Sequence, residues 1–260
     1  MNKYDFKLEN GDNNSGTVYL PDFFDRKVPV VIYCHGWGGN RALNPSTQSL
    51  CSALLDSSAA MVTFDFWGCG DTGGSYNQMS YGRWTSNLKD VFEWVSQQEW
   101  ADRQKIGCFS ISSGTIAALR LAENCSEIAF VVSVATCLGL FIAMPDGPGR
   151  VLVEHWDTLV KGGMAEVFGV PFSIDFFKDF IGKAPAYNLK TISCPVFFLQ
   201  GAADTVWRRS DAWIGFQVMQ KNGLAVKYLE IEGGDHGLDN VPEQSAQEVI
   251  NWLKEIRVLS

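Results

Sequence analysis

A run of serines stands where an apolar segment gives way to residues that favour a helix. The stretch CFSISSGTIAAL (108–119) reads as a buried strand followed by helix-forming residues. A sharp strand-to-helix turn strains its middle residue and projects that side chain outward, so small residues are needed two positions before and after it. The usual pattern is Gly-x-Ser-x-Gly, and here it is Ser110-x-Ser112-x-Gly114. The pattern predicts Ser112 as a nucleophile, although a serine-rich turn also serves as a simple helix cap.

A nucleophilic hydroxyl needs a base and a group that orients the base. The chain has three histidines, His35, His155 and His236. His236 lies in the glycine-rich segment EGGDHGL after an apolar run, and Asp204 lies in GAADTVW after another. Alone, each has an ordinary interpretation, a solvated loop or a helix cap. In the order Ser112, Asp204, His236, each at the end of a predicted strand, they predict a Ser-His-Asp catalytic triad.

The segment HGWGGN, which follows the apolar run VPVVIYC, would complete such a site. Its glycines allow the backbone to approach a substrate closely. We expect the backbone N–H groups of Trp37 and Ser113 to form an oxyanion hole for a tetrahedral intermediate.

Short apolar runs alternate with helical patterns along the chain. The N-terminal YDFKL and TVYL predict a hairpin. The further predicted strands are continuous apolar runs, typical of strands buried on both faces. They cover 28–34, 59–66, 105–109, 128–135, 195–200 and 225–231, and the predicted helices cover about 45–55, 83–98, 114–122, 210–221 and 242–258. Alternation of this kind predicts an α/β fold with a mostly parallel central sheet and helices on both faces.

Residues 137–185 break this alternation. They contain many aromatic residues and glycines but no convincing strand, and we expect them to form a helical cap inserted into the fold. The spacing of Phe172, Phe176 and Phe180 would place three rings on one helical face. That face would serve to pack the cap onto the rest of the chain or to line a pocket.

Outside residues 137–185, nearly the whole chain resembles the α/β-hydrolase fold family of serine hydrolases, on the segments HGWGG, DFWGCGDTGG, SISSG, GAADTVW and GGDHG. The resemblance is strongest to small cinnamoyl and feruloyl esterases, which have a short cap after the sixth strand. Monoacylglycerol lipases and serine aminopeptidases share the same skeleton. The resemblance implies a hydrolase core over 1–136 and 186–260, a cap over 137–185, and the triad and oxyanion donors named above. Ser110 departs from the family pattern, which has glycine there.

The loop GCGDTG (68–73) matches the Gly-x-Gly-x-x-Gly pattern of dinucleotide-binding proteins. In those proteins the third glycine opens a helix, whereas here the polar segment GSYNQMSYG continues the loop. We therefore expect no nucleotide cofactor. We also expect no metal, because the three histidines fall in separate elements and no Cys-x-x-Cys occurs.

The composition excludes some classes of function. At 260 residues the chain is long enough for one large domain, and its formal net charge of −8 disfavours binding to nucleic acids. No apolar stretch is long enough for a membrane span. The odd, scattered set of seven cysteines favours a reducing compartment, so we expect a cytoplasmic protein.

Together these features predict an esterase that acts on a small-molecule ester with a small to medium acyl group. An aromatic acyl group would suit the aromatic residues of the cap, which are Phe141, Trp156, Phe168, Phe172, Phe176 and Phe177. A peptidase that releases N-terminal residues is the alternative, with Glu154, Asp157 or Glu166 to hold an ammonium group. A third hypothesis is a non-catalytic hydrolase-fold binding protein, for which Ser110 is the one hint. Exposed cap aromatics would equally suit a homodimer contact.

Overall fold

The strands and helices alternate along most of the chain. The computed structural model describes residues 2–9, 11–139 and 147–260. The strands are, in chain order, β1 (Asn2–Lys7), β2 (Ser15–Leu20), β3 (Val28–Cys34), β4 (Ala60–Phe64), β5 (Ala101–Ile111), β6 (Val131–Val134), β7 (Ala165–Val167), β8 (Val170–Phe172), β9 (Val196–Gly201) and β10 (Val226–Ile231). The helices are α1 (Pro45–Asp56), α2 (Tyr81–Ser96), α3 (Gly114–Asn124), α4 (Pro148–Glu154), α5 (Trp156–Val160), α6 (Ile174–Gly182), α7 (Ser210–Lys221) and α8 (Pro242–Glu255). Short 3-10 helices cover Tyr76–Gln78, Pro185–Tyr187 and Leu189–Thr191.

Eight strands form one sheet in the order β1-β2-β4-β3-β5-β6-β9-β10. The N-terminal hairpin β1–β2 is antiparallel and joins β4 antiparallel, whereas every pair from β4 to β10 is parallel. The carboxyl ends of β3, β5, β9 and β10 therefore lie along one edge of the sheet, where ligands bind in open α/β folds. The predicted mostly parallel sheet is confirmed.

Alternate residues of the central strands face two separate apolar clusters. In β3, Val30 and Ile32 pack into the cluster that contains Trp84 of α2, while Val31 packs into the cluster that contains Leu253 of α8. All of these side chains are buried. A strand that is buried on both faces has a continuous apolar sequence, which is why the runs lacked polar alternation. The predicted helix layers on both faces are confirmed.

Two predictions about strands were wrong. Residues 225–231 were expected to be buried on both faces, but β10 is the edge strand and most of it is only half-buried. The segment 137–185 was expected to lack strands, but β7 and β8 pair as an antiparallel hairpin. Phe168 and Gly169 form its two-residue turn with φ of 51° and 77°. Strands of three residues are too short to show a periodicity.

The ends of the segment between β6 and β9 are held together. The backbone N–H of Cys137 donates to Thr115 Oγ1 of α3 at 2.9 Å, and that of Leu138 donates to Asp211 Oδ2 of α7 at 2.8 Å. The N–H of Ala186 returns to the carbonyl oxygen of Leu138 at 3.3 Å. The chain thus leaves the sheet and comes back at the same place. The division into a core (1–136 and 186–260) and a cap (137–185) stays a prediction, and Phe141 lies outside the described residues.

The seven cysteines are free thiols. In the part of the chain that the structure describes, no helix combines the length and the apolar character that crossing a membrane requires. The cytoplasmic location stays a prediction.

Candidate active site

Ser112 occupies a strained turn between β5 and α3. Its φ is 54°, a value that non-glycine residues seldom adopt. The turn is fixed on both sides, because the N–H of Ser112 donates to the carbonyl oxygen of Val134 at 2.9 Å and its own carbonyl oxygen accepts from the N–H of Thr115 at 3.0 Å. The predicted strand-to-helix turn is therefore present, with Ser112 at its strained position.

The residues two positions from Ser112 explain how the turn is accommodated. At Gly114 a Cβ atom would lie 2.4 Å from the carbonyl oxygen of His35 and 2.5 Å from that of Cys34, so α3 can begin against β3 only with glycine at this position. Ser110 is fully buried, and its Oγ donates to the carbonyl oxygen of Val132 at 2.9 Å. The hydroxymethyl group that replaces the usual glycine has a partner in the neighbouring strand. Serine at position 110 is therefore compatible with the turn at Ser112.

Asp204 follows β9, and its side chain is inaccessible to solvent. Its Oδ2 accepts from His236 Nδ1 and from Gln200 Nε2, each at 2.9 Å, and its Oδ1 accepts from the N–H groups of Val206 at 2.8 Å and Trp207 at 3.0 Å. Burial alone would raise the pKa of Asp204, but the donors from His236 and the backbone outweigh it and hold this pKa below its ordinary value. Asp204 is thus an anionic acceptor for the imidazole.

His236 lies in the loop after β10 and is 23% exposed at its side chain. The bond from Nδ1 to Asp204 leaves Nε2 as the ring nitrogen available for proton transfer. The loop packs tightly on the end of β9, because a Cβ atom at Gly201 would lie only 2.2 Å from the carbonyl oxygen of Asp235. The structure therefore brings the predicted acid and base into direct contact.

The other two histidines have different surroundings. His35 is buried, its Nδ1 donates to the carbonyl oxygen of Gly36 at 2.9 Å, and its Nε2 accepts from the N–H of Phe66 at 3.2 Å. Burial lowers the pKa of His35 to about 4, so the ring is neutral and ties β3 to the end of β4. His155 is exposed at the junction of α4 and α5.

A cavity of about 640 Å³ brings the predicted residues together. Ser112, His236, Trp37 and Ser113 all line it. A larger groove of about 900 Å³ lies near the amino end of β3 and contains none of these residues, so the candidate site lies in the smaller cavity. Among residues 2–9, 11–139 and 147–260, no three His, Cys, Asp or Glu side chains come together in a way that would hold a metal ion.

The loop after β3 lies directly beside the turn at Ser112. A Cβ atom at Gly36 would lie 3.1 Å from Ser112 Cβ. The loop turns back through a bond from the N–H of Gly39 to the carbonyl oxygen of Gly36 at 3.1 Å, and the N–H of Gly38 donates to Tyr76 Oη at 2.7 Å. Trp37 therefore stands next to the candidate nucleophile. The role of its N–H group and that of Ser113 as oxyanion donors stays a prediction.

Aromatic rings surround the indole of Trp37. Its ring centroid lies 5.4 Å from that of Tyr76, 5.5 Å from those of Phe168 and Phe172, and 5.9 Å from that of Phe176. Phe172 ends β8, so the three-ring face predicted on one helix begins in the hairpin, although Phe172 does stack on Phe176 at 4.2 Å. We call Trp37 and these four rings the Trp37 cluster.

Only some residues of the predicted cap have the positions expected from the sequence. Phe168 lines the cavity, but Trp156 is 53% exposed and is not part of its wall. Glu154, Asp157 and Glu166 are exposed and do not line the cavity either. The carboxylates that line it are Asp235 and Asp239, on either side of His236. Their position in GGDHGLD next to the predicted base was the signal that could have identified them.

The Gly-x-Gly-x-x-Gly loop encloses a buried carboxylate. Gly70 has a φ of 51°, and a Cβ atom there would lie 2.2 Å from Asp65 Oδ2. Asp65 accepts from the N–H groups of Arg41 at 2.6 Å and Asp71 at 3.0 Å and forms an ion pair with the Arg41 side chain. After Gly73 the chain continues into the short 3-10 helix at 76–78. These contacts explain the glycine at position 70 without a nucleotide.

Sequence comparison finds relatives of this chain among known proteins. The chain is 32% identical over 140 residues to an uncharacterized 31.7 kDa protein of the traX-finO intergenic region of Escherichia coli, which covers 54% of this chain and 43% of that one. It is 25% identical to the lysophosphatidylserine lipase ABHD12 of Danio rerio over 86% of this chain and 53% of that protein. The chain thus spans about half the length of the curated relatives it matches.

The ferulic acid complex of Est1E from Butyrivibrio proteoclasticus has a similar structure. The TM-score is 0.78 at 15% identity, over 96% of this chain and 98% of that one, which shows a common fold. The family description "X-Pro dipeptidyl-peptidase (S15 family)" matches residues 11–150, more than half of the chain. The chain therefore belongs to the X-Pro dipeptidyl-peptidase (S15) family and is a hydrolase with the α/β-hydrolase fold.

Proposed function

We propose that this hydrolase cleaves carboxylic esters of small to medium acyl groups through an acyl-enzyme formed on Ser112. The observation that carries the proposal is the combination of the strained Ser112 with His236 in one cavity, where Asp204 holds the imidazole at 2.9 Å. A nucleophile, a base and an orienting carboxylate are the parts that acyl transfer requires.

In the proposed reaction, Ser112 Oγ attacks the ester carbonyl carbon while His236 Nε2 takes the hydroxyl proton. The Asp204 carboxylate holds the tautomer with the proton on Nδ1 and stabilises the imidazolium cation. The N–H groups of Trp37 and Ser113 donate to the oxyanion. His236 then protonates the departing alcohol oxygen, which leaves the acyl group on Ser112. Water, activated by His236, releases the carboxylic acid and restores the serine.

The wall of the cavity supports a small, apolar acyl group. Tyr81, Ile111, Pro148, Phe168 and Phe180 contribute apolar and aromatic surface, and a volume of about 640 Å³ is in the ordinary range for small-molecule sites. An aromatic acyl group would contact these rings at little cost in desolvation.

A fluorophosphonate tests the nucleophile, the base and the oxyanion hole together. We expect one covalent adduct by intact mass in the wild type, and none in Ser112→Ala. Ser126→Ala, which removes an exposed hydroxyl in the loop after α3, is the matched control and should label like the wild type. Folded wild-type protein that forms no adduct would overturn the proposal.

A peptidase is the second candidate, favoured by the family and by the two carboxylates that flank His236. Asp235 and Asp239 line the cavity, where they would attract the ammonium group of a peptide. Aminoacyl and X-Pro nitroanilides, compared with nitrophenyl esters, separate the candidates. In a peptidase, Asp235→Asn should raise KM for substrates with a free amino group but not for their N-acetylated forms. Cleavage of the esters alone would exclude this second candidate.

A further inference from the structure

The hydroxyl of Tyr76 is bonded to the loop that we expect to supply an oxyanion donor. The N–H of Gly38 donates to Tyr76 Oη at 2.7 Å, a short and therefore well-formed hydrogen bond. The nitrogen of Gly38 belongs to the peptide unit that directly follows Trp37. The bond therefore fixes the peptide plane next to the residue whose own N–H would face the substrate.

Apart from the rings that pack on Trp37, the turn gives that peptide unit little restraint. Gly38 has a φ of 64°, and a Cβ atom at this position would meet no atom within 4 Å, so the space on that side of Gly38 is open. The bond from Gly39 to Gly36, at 3.1 Å, closes the turn but does not reach the Trp37–Gly38 peptide. Three of the four residues 36–39 are glycines, which makes this backbone segment intrinsically flexible. The bond to the Tyr76 hydroxyl restrains the Trp37–Gly38 peptide, which the glycines of the turn leave flexible.

Tyr76 is itself held firmly. Its ring lies edge-on to Trp37 at 5.4 Å and contacts Phe172 at 6.5 Å, and it begins the short 3-10 helix at 76–78. A Cβ atom at Gly68 would lie 3.0 Å from Tyr76 Cα, which shows how closely the preceding loop packs on it. Burial raises the pKa of Tyr76, so the hydroxyl is neutral over the physiological range. A rigid, neutral acceptor is suited to hold a peptide N–H.

We propose that Tyr76 is a positioning residue that holds the oxyanion loop in its catalytic geometry through the bond from Gly38 to Tyr76 Oη. The proposal rests on the proposed function, since it assigns Tyr76 to the oxyanion hole of that reaction. An oxyanion donor acts on the transition state and little on the bound substrate. Loss of the Tyr76 hydroxyl therefore lowers kcat and leaves KM nearly unchanged.

Tyr76→Phe keeps the ring contacts of the Trp37 cluster and removes the acceptor. Complete loss of an oxyanion donor costs about 100- to 1000-fold in kcat, and a donor that is loosened but present should cost about tenfold. We expect about a tenfold lower kcat for a nitrophenyl ester, with KM within about twofold. The Ki of a boronic acid, which forms a tetrahedral adduct on the serine, should rise by a similar factor, whereas the Ki of the product carboxylic acid stays constant.

Tyr4→Phe is the matched control. It removes another tyrosine hydroxyl, one that accepts from Trp100 Nε1 at 3.1 Å on the N-terminal strand, away from the cavity. This variant should keep the wild-type kcat and boronate Ki. Equal melting temperatures of the two variants would show that loss of folding is not the cause of any difference.

Hydrogen exchange gives a second measurement that does not depend on turnover. The amide of Gly38 should be protected in the wild type and exchange faster in Tyr76→Phe. A wild-type amide without protection overturns the proposal, and so does a Tyr76→Phe enzyme with wild-type kcat and boronate Ki.

If the wild type neither hydrolyses esters nor binds the fluorophosphonate, the proposed function fails and the assignment of Tyr76 fails with it. An active wild type with an unaffected Tyr76→Phe variant removes the Tyr76 assignment alone.

Discussion

The two sides of the candidate active site are held in place by different interactions. On one side, Asp204 and His236 are joined by a hydrogen bond, and the carboxylate accepts four donors in all. On the other, the loop that carries Trp37 is held by aromatic rings and by a single hydroxyl. Hydrogen bonds hold the proposed base, whereas apolar contacts with a segment more than 130 residues further along the chain hold the loop of the proposed oxyanion hole. We therefore expect substitutions beside His236 to act on the chemical step, and substitutions around Trp37 to act through lost packing.

Asp204→Asn should have the largest effect. It keeps the shape of the side chain but removes the charge, and its amide favours the wrong imidazole tautomer. We expect kcat for an ester to fall roughly 10⁴-fold, with little change in melting temperature. Asp157→Asn, an exposed carboxylate of the cap, is the control and should retain full activity. An Asp204→Asn enzyme within tenfold of the wild type would contradict the assignment of the acid.

Phe172→Ala should separate packing from chemistry. Phe172 is fully buried in the Trp37 cluster, and its truncation should lower the free energy of unfolding by about 3 kcal/mol. It should also lower kcat, because the loop at Trp37 loses a support. Phe130→Ala removes an equally buried ring that packs on Trp252 on the other face of the sheet, and it should lose similar stability while keeping kcat. Equal kcat losses in the two variants, measured well below their melting temperatures, would argue against the comparison.

Gln200→Met should have an intermediate effect on the base side. Gln200 is fully buried in β9, and its Nε2 donates to the same oxygen of Asp204 that receives the His236 bond. Without this donor the carboxylate is less firmly placed, and we expect kcat/KM to fall about tenfold. Gln98→Met, which removes a donor to the carbonyl oxygen of Trp94 in the last turn of α2, should have no effect on kcat/KM. A full-rate Gln200→Met enzyme would show that the backbone donors suffice.

Glu123→Gln should give the smallest effect, a change in stability with pH. It tests how a buried carboxylate behaves when it has fewer hydrogen-bond donors than Asp204. Glu123 forms an ion pair with Arg120 at 2.5 Å, and burial raises the pKa of Glu123 to about 7. Between its unfolded pKa of about 4.5 and the folded value near 7, the folded protein binds more protons than the unfolded chain. Its stability therefore falls as the pH rises through this window.

The glutamine variant mimics the protonated acid. We expect equal stability of Glu123→Gln and wild type near pH 4, below both pKa values, and a variant that is more stable by on the order of 1 kcal/mol at pH 8. Urea unfolding at the two pH values measures the difference. A variant less stable than the wild type at pH 8 would show that the ion pair with Arg120 outweighs burial.

The sequence was sufficient for features with a local cause. The continuous apolar runs predicted the parallel sheet, and α7 begins and ends at the predicted residues 210 and 221. Ser112, Asp204 and His236 were predicted to lie close together because each follows a strand, and parallel strands carry their following loops to one edge. The same rule placed Trp37 at this edge, because the glycine-rich loop that carries it follows β3.

Features that depend on distant segments could not be predicted. Tyr76 meets Gly38 only because two loops converge in the fold, and nothing at either position indicates the other. Asp179 of α6 accepts the N–H groups of Tyr81 and Gly82 at the start of α2, a cap supplied from almost 100 residues away. Gln200 ends an apolar run in the sequence, and nothing there indicates its bond to Asp204. In each case the partner is chosen by tertiary packing, which leaves no periodic pattern in the sequence.

The closed base of the segment after β6 has a consequence for how such proteins vary. Leu138 and Ala186 are joined by a backbone hydrogen bond, and Cys137 and Leu138 are tied to α3 and α7. Insertions or deletions between these ends cost a closure entropy that grows only slowly with length, provided that they spare Phe172 and Phe176, which pack on Trp37, and Asp179, which caps α2. The cavity-lining residues of this segment can therefore be exchanged while the turn at Ser112 stays in place.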